Sequence, residues 1–326
     1  MHTFRDFRAL RVDTEVVGTT EQLEAGGFRP GDLVEDEESG YYLYEMARWS
    51  DDGRPLRVAG AIGILSPAAN SATPGNASEW AGPVNRGSAA HAGTAEIGEE
   101  RALLWAFADT DVIDQVRPYR IGPIARITDL DGVAHRIYAL VQPAAVDMLR
   151  KAAERAELAI LGTGNERTVP SGLREMLCFF CQAKDLAELV APVQMLFVGP
   201  GVAGTLADLP KAWAASSEPL ERPHLVISGG NQRVFVPVGP SALRTLTEVR
   251  THLASLPGVD VRHFEFPASV EAEVTSPDVV SVASPRIPAH EIITAALAGE
   301  AVDPASVGIF PRPLPALFRG EAPADG

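Results

Sequence analysis

Cysteines, basic residues and long apolar runs are all scarce in this chain. Two cysteines in 326 residues, Cys178 and Cys181, cannot build a disulfide framework and fit a reducing compartment. Their Cys-Phe-Phe-Cys spacing invites a redox or zinc reading, but the sequence offers no second ligand pair. Flanked by Met176, Leu177, Phe179 and Phe180, they read as small core residues of a helix expected over 173–190. Against 43 acidic residues stand only 28 Lys and Arg, giving a formal charge of −15 and a pI near 4.9. Such a mean field repels a duplex or an anionic bilayer unless a local basic patch overrides it. The sequence shows no such patch, so neither nucleic acid nor membrane is an expected partner. The acidic runs at Glu35 to Glu38 and Glu96 to Glu100 read as solvated faces. No stretch approaches the ~20 apolar residues needed to span a bilayer. The first residues lack the hydrophobic core of a signal peptide, so the cytoplasm is the expected location. Also absent are GxSxG, HExxH and the Walker-type phosphate loop, which leaves serine-hydrolase, zincin and P-loop chemistry without a motif.

What is present is ordinary globular material, with 46% hydrophobic residues. Tyr41 to Met46 and Leu56 to Leu65 flank a polar turn and predict a hairpin; Ile121 to Ile127 and Ala134 to Leu140 bracket Asp131-Gly132 and predict a second. From Ser66 to Gly93 small and polar residues dominate without periodicity, as in a long binding loop or lid. Helices are expected over 97–108 and 143–157, with a short buried strand over 158–161. Further on, strands are expected at 195–198, 224–228, 234–238, 259–266 and 279–283. Helices are expected at 206–215, 241–255 and 289–298. This alternation predicts a mixed α/β (α+β) architecture, divided near Pro170 to Gly172 into domains over 1–171 and 172–326.

Glycine-rich turns carry the strongest chemical signals. Leu161-Gly-Thr-Gly-Asn-Glu-Arg-Thr168 leaves an apolar run. Gly162 and Gly164 let backbone approach an anion, and Arg167 can pair with it. Gly199-Pro-Gly-Val-Ala-Gly204 matches GxGxxG between a strand and a helix-like segment. However, Pro200 removes an amide there, and a connecting turn is the favoured reading. Gly229-Gly-Asn231 reads as a hairpin tip. Among the dispersed histidines, His135 sits on a strand as a structural residue, whereas His91 lies in the loop before the Arg101 segment.

Taken in order, several landmarks resemble the ParB-like family that includes free-serine kinases. Phe4-Arg-Asp-Phe-Arg-Ala-Leu-Arg11 is similar to the family's opening, and Tyr41 to Glu45 with Val58 to Leu65 to its first strand pair. His91-Ala-Gly-Thr94 with Glu100-Arg101 stands where the family has His-Glu-Arg-Thr followed by Asp-Arg. Asp131-Gly-Val-Ala-His-Arg136 resembles the hairpin before the main motif, and Thr163-Gly-Asn-Glu-Arg167 occupies the place of Asp-Gly-His-His-Arg. Ala298-Gly-Glu300 and Ser306 to Leu317, with Phe310-Pro-Arg-Pro, are similar to the closing segment.

The resemblance implies a ParB-like N-terminal domain that transfers phosphate from ATP or ADP, with Mg2+, to the hydroxyl of serine or a related amino acid. It implies phosphate-side roles for Thr94, Arg101, Gly162, Gly164, Arg167, Ser306 and Arg312, the last in place of a lysine. His91, Glu166 and Glu15 are the candidate catalytic residues, either glutamate serving as the proton-accepting carboxylate. A homodimer is a further expectation. Ala92, Gly93, Thr163, Asn165 and Glu166 depart from the family pattern, and the early Pro-Pro-Tyr-Asp element is missing. The alternative is therefore a catalytically silent or repurposed small-molecule-binding protein on the same scaffold.

Overall fold

The computed structural model describes residues 3–49, 53–66, 104–161, 176–209, 213–264, 274, 276–298 and 307–321. Its architecture is mixed α/β, in two compact units. The first takes in the described chain from Thr3 through Leu189 and its return from Pro311; the second is Val190–Phe310.

The first unit centres on one sheet. Its strands are β1 (Thr3–Arg5), β4 (Tyr41–Trp49), β5 (Pro55–Ser66), β6 (Leu104–Ala108), β7 (Ile121–Thr128), β8 (Ala134–Leu140), β9 (Ala159–Leu161) and β10 (Met176–Gln182). They run in the order β7-β8-β4-β5-β10-β6-β9, with β1 alongside β5. Both expected hairpins are present, as β4–β5 and β7–β8. β2 (Ala9–Val12) and β3 (Leu33–Glu35) form a smaller sheet with β18 (Phe318–Glu321), in the order β18-β2-β3. The short helix α1 (Thr20–Ala25) between β2 and β3 opens on a capping box, Thr19 with Gln22.

Two expected helices are strands over part of their described span. Met176–Gln182 is β10, buried between β5 and β6, and only the following Ala183–Leu189 is helical. A strand covered on both faces reads as a continuous apolar run, and Leu177-Cys-Phe-Phe-Cys181 has no polar stripe to distinguish it from a buried helix. Cys178 and Cys181 are three apart on a strand and therefore face opposite sides of the sheet. They remain buried core thiols, with burial pushing both pKa values up. Likewise, the end of the expected 97–108 helix is the strand β6, whose Trp105 and Phe107 favour a pleated surface. Residues 97–103 lie outside the described residues.

Two helices, α2 (Val112–Val116) and α3 (Pro143–Arg155), cover one face of this sheet. Val112, Ile113, Val116, Ala145, Leu149 and Ala153 pack there against Tyr41, Leu43, Ala61, Tyr138, Cys178 and Phe180. On the opposite face Phe179 lies edge-on to Trp105, with ring centroids 5.0 Å apart, and to Tyr44 at 6.2 Å. Gly60 makes room for Phe179, since a Cβ there would stand 2.5 Å from its ring and 2.8 Å from the Phe180 carbonyl oxygen. With α4 (Ala183–Leu189) the chain leaves this unit. The crossing falls at Leu189/Val190, not at 171/172, because β10 must first be laid into the middle of the first sheet.

The second unit is built on an antiparallel sheet of order β14-β13-β16-β12-β15. These strands are β12 (Gln194–Val198), β13 (His224–Gly229), β14 (Gln232–Pro237), β15 (Asp260–Phe264) and β16 (Val279–Ala283). β11 (Val190–Ala191) pairs separately with β17 (Gly308–Ile309). The helix α5 (Ala242–Ala254) buries Leu246, Val249 and Leu253 along one stripe. Its N-terminus is satisfied twice: Ser241 Oγ accepts from Arg244 N–H, and Glu291 on α6 (Ala289–Leu297) accepts from Leu243 N–H and Ser241 Oγ–H. Over the span expected as a helix, 206–215, the described residues show the end of a 3-10 helix, Val202–Ala207, then helical geometry at Leu209 and Trp213, while Ala214 takes the left-handed φ of 49°.

Replacing Gly60 with Ala overpacks the contact with Phe179 and the neighbouring backbone. Urea unfolding of Gly60→Ala is expected to show a loss of about 1–3 kcal/mol; an unchanged midpoint would remove the steric argument.

Candidate functional site

Register brings four chain ends together at one end of the first sheet. β5 finishes at Ser66, opposite Thr3 of β1, and Leu65 faces Met176 at the start of β10. Two residues further into β10, Cys178 faces Leu104, the start of β6, and Trp105 faces Leu161, the last residue of β9. β5, β10, β6 and β9 are consecutive in the sheet, so Ser66, Met176, Leu104 and Leu161 span about 15 Å laterally. The chain therefore leaves the described sheet at Ser66 and Leu161 and rejoins it at Leu104 and Met176, all at this end.

Most sequence-predicted site residues belong to the two connections anchored here. His91, Thr94 and Arg101 fall between Ser66 and Leu104; Gly162, Gly164, Glu166 and Arg167 fall between Leu161 and Met176. All seven, and Ser306, lie outside the described residues. Two others are described. Glu15 is exposed in a turn, where its N–H bonds Asp13 Oδ1 at 2.9 Å. Neighbouring Thr14 accepts from Arg126 N–H on β7, which β8 and β4 separate from β5, so Glu15 is not brought to the four strand ends. Arg312 is half-buried in the return segment, two residues before Leu314, whose N–H donates to Tyr44 Oη at 2.9 Å.

That tyrosine opens a buried polar relay. Tyr44 Oη lies 3.1 Å from His135 Nδ1, His135 Nε2 lies 3.0 Å from Asp129 Oδ2, and Asp129 Oδ1 accepts from Val133 N–H at 2.8 Å. A neutral imidazole protonated on Nε2 satisfies every member: it donates to Asp129 and accepts from Tyr44, whose oxygen accepts from Leu314. Burial lowers the His135 pKa and outweighs the Asp129 hydrogen bond and charge, which act to raise it. Burial also pushes the Tyr44 pKa up, so its hydroxyl stays protonated. His135 is thus the satisfied structural residue expected from its strand position. Its partners were missed, although an Asp six residues before a strand histidine, across a tight turn, is a usable signal.

A second network has little local sequence signal, because apart from the pair Asp114 and Arg117 its members come from separate elements, β4, β10 and α4. Lys184 donates to Asp114 at 3.2 Å, and Arg117 lies 3.6 Å from Glu45 and 3.9 Å from Asp114. Buried Gln182 bonds Asp114 and, ahead of Lys184, lowers its carboxyl pKa, whereas burial raises that of Asp185 nearby. Among the described residues no group of three or more His, Cys, Asp or Glu is placed to hold a metal ion.

The GxGxxG match in the second unit is a connecting turn. β12 before it pairs antiparallel with both neighbours, and a 3-10 helix follows, so the parallel βαβ frame of a dinucleotide site is missing. Gly201 takes a φ of +66°, and its N–H donates to Asp278 Oδ1 at 2.6 Å. A carboxylate of the chain itself occupies the amide that a pyrophosphate would need. Gly229-Gly-Asn231, by contrast, does join β13 to β14 as a hairpin tip.

Comparison with protein-family models and with curated proteins returns no match. Among solved structures, SbnI with C-terminal truncation from Staphylococcus aureus is similar at a TM-score of 0.33 and 14% identity. The match covers 44% of this chain and 59% of that one. No helix among the described residues is long and apolar enough to cross a membrane.

The relay makes stability depend on pH in a defined direction. With its native pKa depressed, His135 contributes fully above about pH 6.5, the unfolded value, and the contribution is lost as pH falls from there toward the native pKa. Urea midpoints are expected to fall between pH 7 and pH 5.5, with a smaller slope in His135→Gln; equal slopes would show that His135 does not carry the dependence.

Proposed function

We propose that the first unit carries a kinase-like site for small molecules, which transfers a phosphoryl group from a nucleotide to the hydroxyl of free serine or a related amino acid. The observation that carries this reading is the convergence of Ser66, Leu104, Leu161 and Met176. These are the ends of the connections 67–103 and 162–175, in whose sequences His91, Thr94, Arg101, Gly162, Gly164, Glu166 and Arg167 fall. Independent sequence segments sharing one anchor region are what a binding site assembled from loops on a rigid sheet requires.

The donor set suits phosphate. Gly162 and Gly164 are residues whose amides can approach an anion closely, Arg101 and Arg167 carry fixed positive charge, Thr94 and Ser306 carry hydroxyl donors, and Arg312 adds a guanidinium. In the reaction the serine oxygen attacks the terminal phosphorus. The bond from that phosphorus to the bridging oxygen breaks, and the nucleotide leaves one phosphate shorter. The hydroxyl proton passes to a carboxylate, for which Glu166, in the connection after Leu161, is preferred to Glu15, whose neighbour Thr14 is held at β7. His91 is the remaining catalytic candidate of this set. Mg2+, when bound to the phosphates, supplies further neutralisation of their charge.

A second reading, binding without phosphoryl transfer, is favoured by Thr163, Asn165 and Glu166, which stand where the resembled motif has an aspartate and two histidines. Calorimetry with ATP, ADP and CTP, each with and without Mg2+, tests both. The proposal expects binding by the parent chain and about 10-fold or greater weakening in Arg167→Ala, the range for a charge-assisted hydrogen bond. Absence of binding for all three nucleotides sinks it. Phosphorus NMR of the chain with nucleotide and serine then separates the readings: phosphoserine supports transfer, and bound nucleotide without it supports the silent scaffold.

A further inference from the structure

On the helix-bearing face of the first sheet, α2 and α3 leave one end uncovered. The alternation that puts Leu43, Ala61 and Tyr138 under those helices also puts Arg126, Arg136 and Glu45 side by side across β7, β8 and β4. The next row is Thr128, Ala134, Ala47 and Arg57 across β7, β8, β4 and β5, and the last is Trp49 with Pro55. Arg57, Arg126, Thr128 and Arg136 are exposed, and Trp49 is 74% exposed. Residues scattered through an acidic sequence thus form a flat platform of arginines with an indole at its rim.

Among the described residues this platform is short of negative charge. Glu45 is already engaged by Arg117. Among the described residues Arg57, Arg126 and Arg136 make no ion pair, and Arg126 and Arg136 stand directly opposite each other, an arrangement that repels. The complementary charge lies at the far rim. Asp131, exposed in the turn between β7 and β8, has no cation partner among the described residues. Its carboxyl pKa is raised by desolvation and then by Asp129. Beside it Leu130 is 76% exposed.

We propose that the platform is an isologous interface with a second copy of this chain, in which Arg126 and Arg136 of each protomer meet the partner's Asp131. A two-fold axis lying in the interface and running across the strands, between the Ala47 row and the Trp49 row, reverses the order of rows between copies. Arg57 then faces the partner's Pro55 and lies one strand, about 4.8 Å, from the partner's Trp49, whose indole it can reach as a cation–π pair, and the Arg126–Arg136 row lies over the partner's β7–β8 turn. Trp49 and Leu130 leave water, and no arginine row faces another. Four strands are about 19 Å wide, so the contact is at the small end of specific interfaces, and association is reversible with a dissociation constant in roughly the micromolar range.

Sedimentation velocity of the full chain over roughly 1–100 µM, the span for such a contact, tests this. The sedimentation coefficient is expected to rise with concentration. Arg136→Glu and Asp131→Arg are each expected to weaken association about ten-fold or more, and the double variant to restore it, since the swapped charges meet again across the axis. Trp49→Ser weakens association too; because these side chains are exposed, thermal melts of all variants should match the parent. A chain monomeric at every concentration overturns the proposal, as does a dimer indifferent to both single reversals. Labelled oligouridylate provides a separate arm: its capture by the parent and loss in Arg136→Glu, without self-association, would assign the platform to nucleic acid and overturn the dimer.

Discussion

β10 holds the first unit together by pairing on both sides at once, antiparallel with β5 and parallel with β6. A parallel pair cannot be closed by a tight turn, so this contact is reached only after β7, β8, α3 and β9 have been threaded. Its stability is a matter of packing. Phe179 rests over the bare backbone of Gly60 on one face, and Phe180 enters the core beneath α2 and α3 on the other. Because β10 and β6 start at the same end at which β5 and β9 stop, the same pairing brings together the ends of the connections 67–103 and 162–175.

Buried tyrosines tie the chain's outlying segments to this sheet. Tyr41 Oη–H donates to the Phe4 carbonyl at 2.9 Å, Tyr42 Oη accepts from Ala9 N–H at 3.0 Å, and Tyr44 Oη accepts from Leu314 N–H. Three hydroxyls on one strand thereby fasten β1, β2 and the C-terminal return, each satisfying a polar atom that burial would otherwise penalise. Phe318 adds ring contacts to Tyr42 at 5.5 Å and Phe7 at 6.1 Å. The Asp129–His135–Tyr44 relay joins the β7–β8 turn to the same return segment, so one protonation state of one histidine suits both attachments.

Elements with a strong local signal were legible in the sequence. Both hairpins of the first sheet, α3 with Pro143 in its first turn, and the five strands of the second sheet follow from periodicity and turn chemistry. Where an apolar run lacked a polar stripe, as at 176–182, periodicity could not separate buried strand from buried helix. The GxGxxG match failed for a related reason: the motif states which residues stand at a turn, but not that β12 is antiparallel or that Asp278 claims the Gly201 amide.

For the candidate site, the residue types were legible: glycines beside Arg167, and His91 ahead of Arg101. That their two segments spring from neighbouring strand ends was not, since it depends on which strands pair. Charge divides in the same way. The total of −15 is fixed by composition, whereas the cluster of Arg126, Arg136 and Arg57 exists only because antiparallel register brings residues from three strands onto one face in adjacent rows. Sequence alone determined the local conformational preferences and the inventory of chemical groups. Tertiary structure decided which groups became neighbours, because pairing energy lies in contacts between segments far apart in the chain, and no local pattern records them.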